Sequence, residues 1–519
     1  MPETHHPTDE TADVVVVGSG GAALTAAYTA ATGGLRTVVL EKTEYFGGTS
    51  AYSGAGIWLP GNPAQHRAGL PDSVELGMTY FKAVVGDRTP AALQEAFLTI
   101  GPELVEFLER DPALRFAYMP FPDYFEAPGR IENGRSIYPK PLPAAELGSR
   151  LARLRPPISP DQYGVDQDRD VLIGGQALIG RLLLALDATG NASLRTGTRM
   201  RSLIVENGRV AGVVVEADGA TTRVMAGHGV VLAAGGFECD DELRARHHGL
   251  PGGQWTSAAP GSNTGDAVMA AQAVGASVDL MDEAWWCPAT LFPNGRAAFT
   301  LGLLGGIFVN ADGERFANES LPYDRMGHEI RRGQAGGVSH IPSWFVFDDR
   351  FDAVPAISQP VPDPVAFREA GLWRTADTPE ALADLIGVPA DALRRTVERF
   401  NGFAASGVDE DFHRGEDPYD RFFGAGDGPN PCLVPIERGP LHAVQIVLGD
   451  LGTKGGLRID GDGRVLDEAG TPIPGLHAAG NSAASVAGHA YPGPGTPLGS
   501  GMAFGYRAAK HLLGESRSG

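Results

Sequence analysis

The sequence predicts an α/β fold, and three stretches near its start carry this prediction. DVVVV at 13–17 is a continuous apolar run, typical of a parallel strand buried on both faces. GSGGAA follows at 18–23 and leads into the helix-forming LTAAYTAATGG, after which TVVLE at 37–41 has the composition of a second strand. A strand, a glycine turn, a helix and a strand in this order predict a Rossmann-like dinucleotide-binding unit.

The glycine turn predicts a site for the phosphates of a dinucleotide. Gly18, Gly20 and Ala23 match the GxGxxG/A pattern, whose third position needs only a small residue for close helix packing. Gly18 and Gly20 let the backbone approach a pyrophosphate, which the free N–H groups and partial positive charge of the helix N-terminus stabilise. Glu41 ends the second strand, where its carboxylate can accept the hydroxyls of an adenosine ribose. The alternative interpretation is an ordinary glycine turn between a strand and a helix.

Further apolar segments that end in glycine extend the predicted sheet. SLIVENGRVAGVVVEA at 202–217 is typical of a hairpin with an NG turn, and VVLAAGG at 230–236 of a buried strand. PIPGLHAAGN at 472–481 repeats the combination of a short apolar strand and a glycine. GSG at 499–501 is predicted to begin a helix whose N-terminus faces an anion. The glycine- and hydroxyl-rich loop 42–58 offers backbone amides to a flat ring system as well as to phosphate.

Length, charge and cysteine content limit the classes of function. A chain of 519 residues predicts two to four domains, and a formal net charge of −21 argues against a nucleic-acid partner, which needs a basic face. Three well-separated cysteines without a CxxC pair give no signature of a metal site. No window is apolar enough to span a membrane, and the opening MPETHHPTDE does not have the pattern of a signal peptide. We therefore expect a cytoplasmic protein without a transmembrane segment. The sequence is also compatible with peripheral contact with a membrane.

Motifs along nearly the whole chain resemble one flavoprotein family. They are DVVVVGSGGAA, EKTEYFGGTSAYSGAG, VVLAAGGFE, NTGDAVMAAQAVGA, GERFANES, RFNGFAASGVDEDFHRG, LGTKGGL and PIPGLHAAGN. They are similar to the family that contains fumarate reductases and 3-ketosteroid dehydrogenases. The resemblance implies FAD as cofactor, bound non-covalently, because members with covalent flavin tether it through a histidine in the glycine loop after the second strand, and this loop has none.

The resemblance also implies a domain organisation and a set of cofactor contacts. A Rossmann-like FAD-binding domain would be split into segments 11–283 and 447–519, which flank an inserted α+β catalytic domain at 284–446. The proline-rich stretch 355–367 within that domain is expected to be an ordered loop or lid. The residues predicted to contact FAD are Gly18, Ser19, Gly20, Gly21, Ala22, Ala23, Glu41, Lys42, Gly48, Thr49, Ser50, Ser53, Gly54, Met200, Ala234, Gly235, Asp266, Gly480, Asn481, Pro497, Leu498 and Gly499.

Two positions separate the reactions of this family. In fumarate reductases a motif like RFxNE is followed, four residues after its glutamate, by a catalytic arginine, and in GERFANESLPYD that place holds Tyr323. A second arginine, which clamps the dicarboxylate near the C-terminal glycine loop, has no counterpart in GHAYPGPG. A dicarboxylate needs paired cations, so these differences disfavour a fumarate reductase.

At these positions the chain resembles 3-ketosteroid Δ1-dehydrogenases. SLPY at 320–323, FPDYF at 121–125 and AYPGPG at 490–495 are similar to the tyrosine motifs and the YPGxG loop of that group. The resemblance implies that Tyr323 is the general base, that Tyr124 is its hydrogen-bonding helper, with Tyr118 as the alternative, and that Tyr491 and the Gly495 amide bind the carbonyl. FPDYF departs from YPDYY, and PLGSG departs from TIGPA beside the flavin.

The predicted reaction is the 1,2-desaturation of a 3-ketosteroid, with loss of a proton from C2 and transfer of a hydride from C1 to FAD. Two fixed donors on the ketone oxygen would stabilise the enolate that forms when the proton leaves. An external electron acceptor would complete the cycle, which belongs to steroid metabolism and lipid degradation. The alternatives are a 4,5-desaturase of 3-ketosteroids, an enoate reductase of the fumarate type and a non-catalytic FAD-fold binding protein. Trp285 and Trp286 either line an apolar steroid pocket or pack in a core.

Overall fold

The structure is a computed structural model that describes residues 10–251 and 253–518. The stretch before residue 10 and Gly519, the last residue of the third predicted segment, lie outside the described residues. Two compact units divide the chain. The first unit contains the described residues up to Leu250, Ala258–Glu283 and the described residues from Gly452 onward. The second unit contains Ala284–Leu451 and the described residues of 251–257.

The N-terminal part of the first unit alternates strands and helices. Its strands are β1 Glu10–Val17, β2 Thr37–Leu40, β3 Ile57–Trp58, β4 Phe116–Tyr118, β5 Ser136–Pro139, β6 Leu142–Pro143, β7 Val171–Leu172, β8 Ala192–Arg195, β9 Arg199–Glu206, β10 Arg209–Ala217, β11 Ala220–Leu232 and β12 Val278–Asp279. Its helices are α1 Gly21–Thr32, α2 Pro63–Arg67, α3 Val74–Val85, α4 Ala91–Leu108, α5 Ile158–Tyr163, α6 Gly174–Ala188, α7 Asp241–His248 and α8 Asp266–Gln272.

The second unit and the C-terminal part of the first follow. The strands of the second unit are β13 Ala284–Leu291, β14 Ala297–Leu301, β15 Ile307–Val309, β16 Ser343–Asp348, β17 Ile357–Ser358, β18 Trp373–Ala376 and β19 Leu441–Thr453, whose last residues pass into the first unit. Its helices are α9 Tyr323–Ala335, α10 Pro364–Glu369, α11 Pro379–Ile386, α12 Ala390–Ser406 and α13 Pro418–Phe422. The first unit ends with β20 Gly456–Leu457, β21 Arg464–Leu466, β22 Pro472–Ala478 and α14 Thr496–Ser518. No described helix combines the length and the apolar composition that crossing a bilayer requires.

The main sheet of the first unit gathers the glycine turns at one edge. Its strand order is β21-β22-β11-β1-β2-β8, and β1 runs parallel to both β2 and β11. Strand β11 is also parallel to β22, with Leu232 opposite Ala478. Parallel strands end at the same edge of a sheet, where open α/β folds bind their ligands. The turns after β1, β11 and β22 therefore lie on that edge, together with Glu41 at the end of β2.

Local sequence signals predict the hairpin of this unit correctly but not the start of its last helix. The predicted hairpin is β9 and β10, and its turn residues Asn207 and Gly208 have φ values of +52° and +74°. Both are positive, as a two-residue type I′ turn requires. The predicted helix start at 499–501 is wrong, because α14 begins at Thr496. Gly499 serves packing instead, since a Cβ there would lie 2.4 Å from the Trp58 carbonyl oxygen.

The second unit is built on a seven-stranded sheet. Its order is β15-β16-β19-β13-β14-β17, with β18 paired to β19. Helices α11 and α12 contribute Leu382, Leu393 and Phe400 to an apolar cluster with residues of β15 and β16. The stretch 355–367, expected to be a loop or lid, contains β17 and the start of α10. Asp363 caps that helix by accepting a hydrogen bond from the Val365 amide at 2.9 Å, which is a local helix-start signal.

Candidate active site

Glu41 is oriented by its neighbours at the edge of the first sheet. The Ser19 hydroxyl donates to Oε2 of Glu41 at 2.5 Å, and the amide and hydroxyl of Thr43 each donate to Oε1 at 2.8 Å. The side chain is buried. A carboxylate has about four acceptor positions, so it can still accept a hydrogen bond from a ribose hydroxyl.

The N-terminus of α1 offers backbone donors beside Glu41. Within the described residues no side chain caps this helix through a hydrogen bond, and its first turn holds no acidic residue. The Gly21 amide donates to the Ser50 hydroxyl at 3.1 Å. The amides of Ala22 and Ala23 precede the first helical hydrogen bond, in which the Leu24 amide donates to the Gly20 carbonyl at 2.9 Å. A helix start of this kind suits the phosphates of a dinucleotide. The helix amides and the buried carboxylate of Glu41 together fit FAD, the cofactor that the sequence predicts.

The backbone of the neighbouring segment leaves no space for a side chain at Gly18. Its φ is +106°, and a Cβ there would lie 2.2 Å from the carbonyl oxygen of Ala233, just after β11. Close approach of two backbones thus explains this glycine before any phosphate is considered. The helix that follows, α1, packs backbone to backbone against α14, because a Cβ on Gly505 would lie 2.4 Å from the Ala22 carbonyl oxygen.

Ser482 connects the turns after β11 and β22, and it is not among the residues that the sequence predicts to contact FAD. Its hydroxyl accepts a hydrogen bond from the Ala234 amide at 2.9 Å and donates to the Gly235 carbonyl at 2.9 Å. It follows Gly480 and Asn481 in a short 3-10 helix. The AAGNS pattern could have identified it, because a hydroxyl directly after a glycine turn commonly bonds nearby backbone.

Lys42 and Asp266, both predicted cofactor contacts, lie in one ion-pair group. The Lys42 ammonium is 3.2 Å from Asp266 Oδ2 and donates to the Thr264 hydroxyl at 2.5 Å. Arg199 donates to both carboxylate oxygens of Asp266, at 2.8 and 3.1 Å. Burial acts to raise the pKa of Asp266, but the hydrogen bonds and charges of Arg199 and Lys42 outweigh it and lower the pKa. This group fixes the start of α8 next to the predicted site.

The Tyr491 hydroxyl and the Gly495 amide, two groups that can donate hydrogen bonds, lie next to each other. The Gly495 amide donates to the Tyr491 phenol oxygen over a long distance of 3.4 Å. An acceptor oxygen about 2.8 Å from each atom can bridge them. Gly495 has a φ of +90°, and a Cβ there would lie 2.1 Å from the carbonyl carbon of Gly56. Only glycine fits this position, and Tyr491 itself is buried.

Tyr124 lies against Tyr491, and Tyr118 is engaged elsewhere. The rings of Tyr124 and Tyr491 are 5.2 Å apart between centroids and inclined by 57°. The Tyr124 amide donates to the Pro492 carbonyl at 3.0 Å, so backbone contact accompanies ring contact. The Tyr118 hydroxyl donates to the Asn133 carbonyl at 2.7 Å. Of the two tyrosines considered as helper, Tyr124 is the one beside the predicted carbonyl site.

In the second unit, Tyr323 is the first residue of α9. It is buried, and its ring meets Phe299 edge to face at 4.9 Å. The segment before it is anchored by Arg414, whose guanidinium donates to the Ser320 hydroxyl at 3.0 Å and to Glu319 at 3.0 Å. The phenol therefore belongs to a helix N-terminus that a buried ion pair holds in place.

Trp286 packs in the same unit. Its side chain is fully buried, and a Cβ on Gly327 of α9 would lie 2.5 Å from the Trp286 Cβ. The Arg331 guanidinium is 5.3 Å from the ring centroid. These contacts make Trp286 a packing residue between β13 and α9.

Comparison with known proteins agrees with this description. A family model described as an FAD binding domain matches residues 13–498. The chain is 40% identical to the 3-oxosteroid 1-dehydrogenase of Mycobacterium tuberculosis, over 97% of this chain and 98% of the relative. It is 37% identical to the 4-oxocyclohexanecarboxylate 2-dehydrogenase of Sinomonas cyclohexanicum, over 98% and 93% of the two chains.

A solved structure is similar over its whole length. It is a crystal structure of the 3-ketosteroid delta1-dehydrogenase of Sterolibacterium denitrificans in complex with 1,4-androstadiene-3,17-dione. The TM-score is 0.90 at 35% identity, with 98% of this chain and 100% of that chain covered.

The fold and the site define an FAD-dependent oxidoreductase with a Rossmann-like nucleotide-binding sheet. The chain belongs to the FAD-binding-domain family of flavoproteins, together with the 3-oxosteroid 1-dehydrogenases that it resembles over almost its full length. The predicted family, fold class and FAD cofactor are confirmed.

Proposed function

We propose that the protein catalyses the FAD-dependent 1,2-desaturation of a 3-ketosteroid. The observation that carries the proposal is the pair of donors on the C-terminal loop, the Tyr491 phenol and the Gly495 amide, 3.4 Å apart. The relatives named for this reaction at 40% and 35% identity support it. The steroid is the substrate, and re-oxidation of the enzyme requires an external electron acceptor.

The two donors would stabilise the negative charge that makes this reaction difficult. A proton leaves the carbon next to the ketone, and the ketone oxygen becomes negatively charged as the enolate forms. Fixed donors aimed at such an oxygen contribute about 2.7–4 kcal/mol each. Tyr491 and Gly495 would bind the ketone oxygen and strengthen their hydrogen bonds as charge develops there. Pro492 and Pro494 restrict the loop, so little conformational entropy is lost when the ketone binds.

We also propose residues for the two remaining predicted roles, those of the general base and of its helper. Tyr323 would accept the C2 proton, and its place at the start of α9 favours the negatively charged phenolate. Tyr124 is proposed as the helper of the base, as the resemblance implies. Both assignments come from the resemblance of SLPY and FPDYF to the corresponding motifs.

The cofactor would be held non-covalently by the first unit. Glu41 would bind the adenosine ribose, and the N-terminal amides of α1 would bind the pyrophosphate. When bound, FAD supplies a hydride acceptor. Segments 11–283 and 447–519 would thus form the FAD-binding domain, and segment 284–446 the domain that supplies the base.

A second candidate function is the desaturation of a smaller cyclic ketone. The relative named 4-oxocyclohexanecarboxylate 2-dehydrogenase is 37% identical over nearly the whole chain. Its named substrate is also a cyclic ketone, and the same pair of donors would serve such a carbonyl. Substrate size therefore separates the two candidates.

The test uses the purified holoprotein without oxygen. We expect androst-4-ene-3,17-dione to bleach the flavin absorbance and to yield a product that is two mass units lighter. We expect 4-oxocyclohexanecarboxylate to do neither. The opposite pattern would favour the second candidate. Failure with both ketones would reject the desaturase proposal.

Two variants test the residues. Tyr491→Phe should retain FAD and lose about a hundredfold or more in kcat, as removal of an oxyanion donor does. Tyr28→Phe, which removes another buried phenol bonded to Asp111, should behave like the wild type. Tyr323→Phe should abolish hydrogen–deuterium exchange at C2 of the bound ketone. Normal exchange in Tyr323→Phe, or near-native turnover in Tyr491→Phe, would reject the respective assignment.

A further inference from the structure

Tyr80 lies directly behind the loop that carries Tyr491. It is on α3 and its side chain is fully buried. Its hydroxyl donates to the Pro492 carbonyl at 2.6 Å and accepts a hydrogen bond from the Phe125 amide at 3.1 Å. The Pro492 carbonyl also accepts from the Tyr124 amide at 3.0 Å. One hydroxyl thus joins the backbone of the Tyr124 segment to that of the Tyr491 loop.

The composition of the loop explains why such bonds matter. Pro492 and Pro494 have no N–H group, so at these residues the backbone can be fixed only through carbonyl oxygens. Tyr80 binds the carbonyl of Pro492, and the Ser136 hydroxyl donates to the carbonyl of Pro494. The Trp58 amide donates to the Gly495 carbonyl at 3.3 Å. The position of the Gly495 amide therefore depends on contacts to the carbonyls around it.

A buried group of charges holds Tyr80 in turn. The Arg135 guanidinium lies 5.2 Å from the Tyr80 ring and 5.4 Å from the Trp58 ring. It is 3.3 Å from a carboxylate oxygen of Asp72 and of Asp123, and none of these three charged side chains is exposed. Trp58 Nε1 donates to Asp123 at 2.9 Å. Asp123 directly precedes Tyr124, so the same group also fixes the backbone next to that residue.

Tyr80 is also chemically suited to remain a donor. Burial raises the pKa of its phenol, and the negative charge of Asp123 raises it further. The hydroxyl therefore keeps its proton throughout the pH range in which enzymes work, and its hydrogen bond to Pro492 does not depend on pH there.

We propose that Tyr80 and Ser136 are positioning residues that hold the Tyr491–Gly495 donors at a fixed distance from Tyr124 through the carbonyls of Pro492 and Pro494. The proposal rests on the proposed desaturase function. Neither residue is assigned a contact with the substrate. Displacement of an oriented catalytic group by about 1 Å costs about a hundredfold in rate, so loss of either anchor should act on turnover more than on ligand binding.

The experiment compares Tyr80→Phe and Ser136→Ala with the wild-type holoenzyme. Phenylalanine preserves the ring between Arg135 and the loop and removes only the hydroxyl. We expect a 10- to 100-fold lower kcat per bound flavin, on the order of the cost of such misplacement, with KM changed less than about threefold and FAD retained. Tyr506→Phe is the matched control, because that buried phenol bonds to Glu103 at 2.8 Å. It should keep the wild-type kcat.

A second measurement does not depend on the reaction. Amide hydrogen exchange should become at least tenfold faster at Phe125 in Tyr80→Phe, because that amide loses its acceptor, and should stay unchanged in Tyr506→Phe. Unchanged exchange at Phe125 would refute the contact itself. A kcat per bound flavin within twofold of the wild type in Tyr80→Phe would overturn the positioning role.

The results distinguish failure of the proposed function from failure of the positioning role. If the wild type desaturates no ketone while Phe125 still exchanges faster in Tyr80→Phe, the proposed function is wrong and the positioning role falls with it, although the contact stands. If Tyr80→Phe yields no folded holoprotein, Ser136→Ala decides the question. A turnover-selective loss there would support the role of the carbonyl anchors, and a native kcat would overturn it.

Discussion

Substitution of Gly495 by alanine should move one of the two proposed carbonyl donors without removing it. At a φ of +90°, the new Cβ would lie 2.1 Å from both the carbonyl carbon and the oxygen of Gly56, and 2.6 Å from the Ile57 nitrogen. These are backbone atoms, which cannot rotate away. An ordinary contact is 3.4 Å or longer, so the loop or β3 must shift by more than about 1 Å.

The shift sets the size of the expected effect. Misplacement of an oriented group by about 1 Å costs about a hundredfold in rate. An L-residue at positive φ adds about 1–2 kcal/mol of backbone strain. We therefore expect Gly495→Ala to lose at least about a hundredfold in kcat and to be less stable than the wild type by at least that strain.

Gly470→Ala separates the two contributions. Gly470 has a φ of +80° in the same unit, but a Cβ there would meet nothing within 4 Å. Gly470→Ala introduces the backbone strain of a positive φ but no steric clash, so this variant should be less stable than the wild type and keep the wild-type turnover. The assay is the initial rate of ketone desaturation per bound flavin, alongside urea-induced unfolding. Equal losses of rate in both variants, or more than a third of the wild-type rate in Gly495→Ala, would refute the reasoning.

Two further predictions concern the cofactor and pH. Glu41→Gln should weaken FAD binding about 10- to 100-fold, because a hydrogen bond to a charged group contributes about 1.5–3 kcal/mol. Titration of the apoprotein with FAD measures this, and Asp13→Asn at an exposed ion pair should bind like the wild type. Burial, with a contribution from His511, lowers the pKa of His477 to about 3. The unfolded state, with a pKa of about 6.5, then binds more protons, so this stability is present above pH 6.5 and is lost as pH falls, by about 2 kcal/mol at pH 5. Urea unfolding at pH 7 and pH 5 should show a smaller loss in His477→Gln than in the wild type; equal losses would contradict the assignment.

The sequence was sufficient for the elements that depend on local patterns. The apolar run before Gly18, the glycine turns and the NG hairpin each depend on a few consecutive residues, and their strands and helices are present in the structure. The predicted start of α14 is wrong because two signals compete there. Gly499 and Gly501 indicate a helix start, but the helix begins with Thr496 and Pro497, and proline is favoured in the first turn of a helix.

The sequence was insufficient for contacts between distant segments. The Tyr80 hydroxyl and the Pro492 carbonyl are separated by 412 positions, and Ser482 and Ala234 by 248. No local periodicity relates such residues, because their proximity results from the packing of the whole sheet. The resemblance identified Tyr124 and Tyr491 as residues of one site, but it did not identify the side chains that hold them there.

We infer that the buried charges around Arg135 serve to fix the position of the backbone next to Tyr124. Transfer of Asp72, Asp123 and Arg135 from water to the interior costs several kcal/mol per ion, and their mutual attraction often only offsets that cost. Apolar side chains of similar size could give equal stability. They could not accept the Trp58 Nε1 hydrogen bond, however, nor fix the backbone of Asp123 next to Tyr124. We infer that the charged interior at this place adds no net stability but gives a defined geometry, which the proposed pair of donors at one oxygen would require.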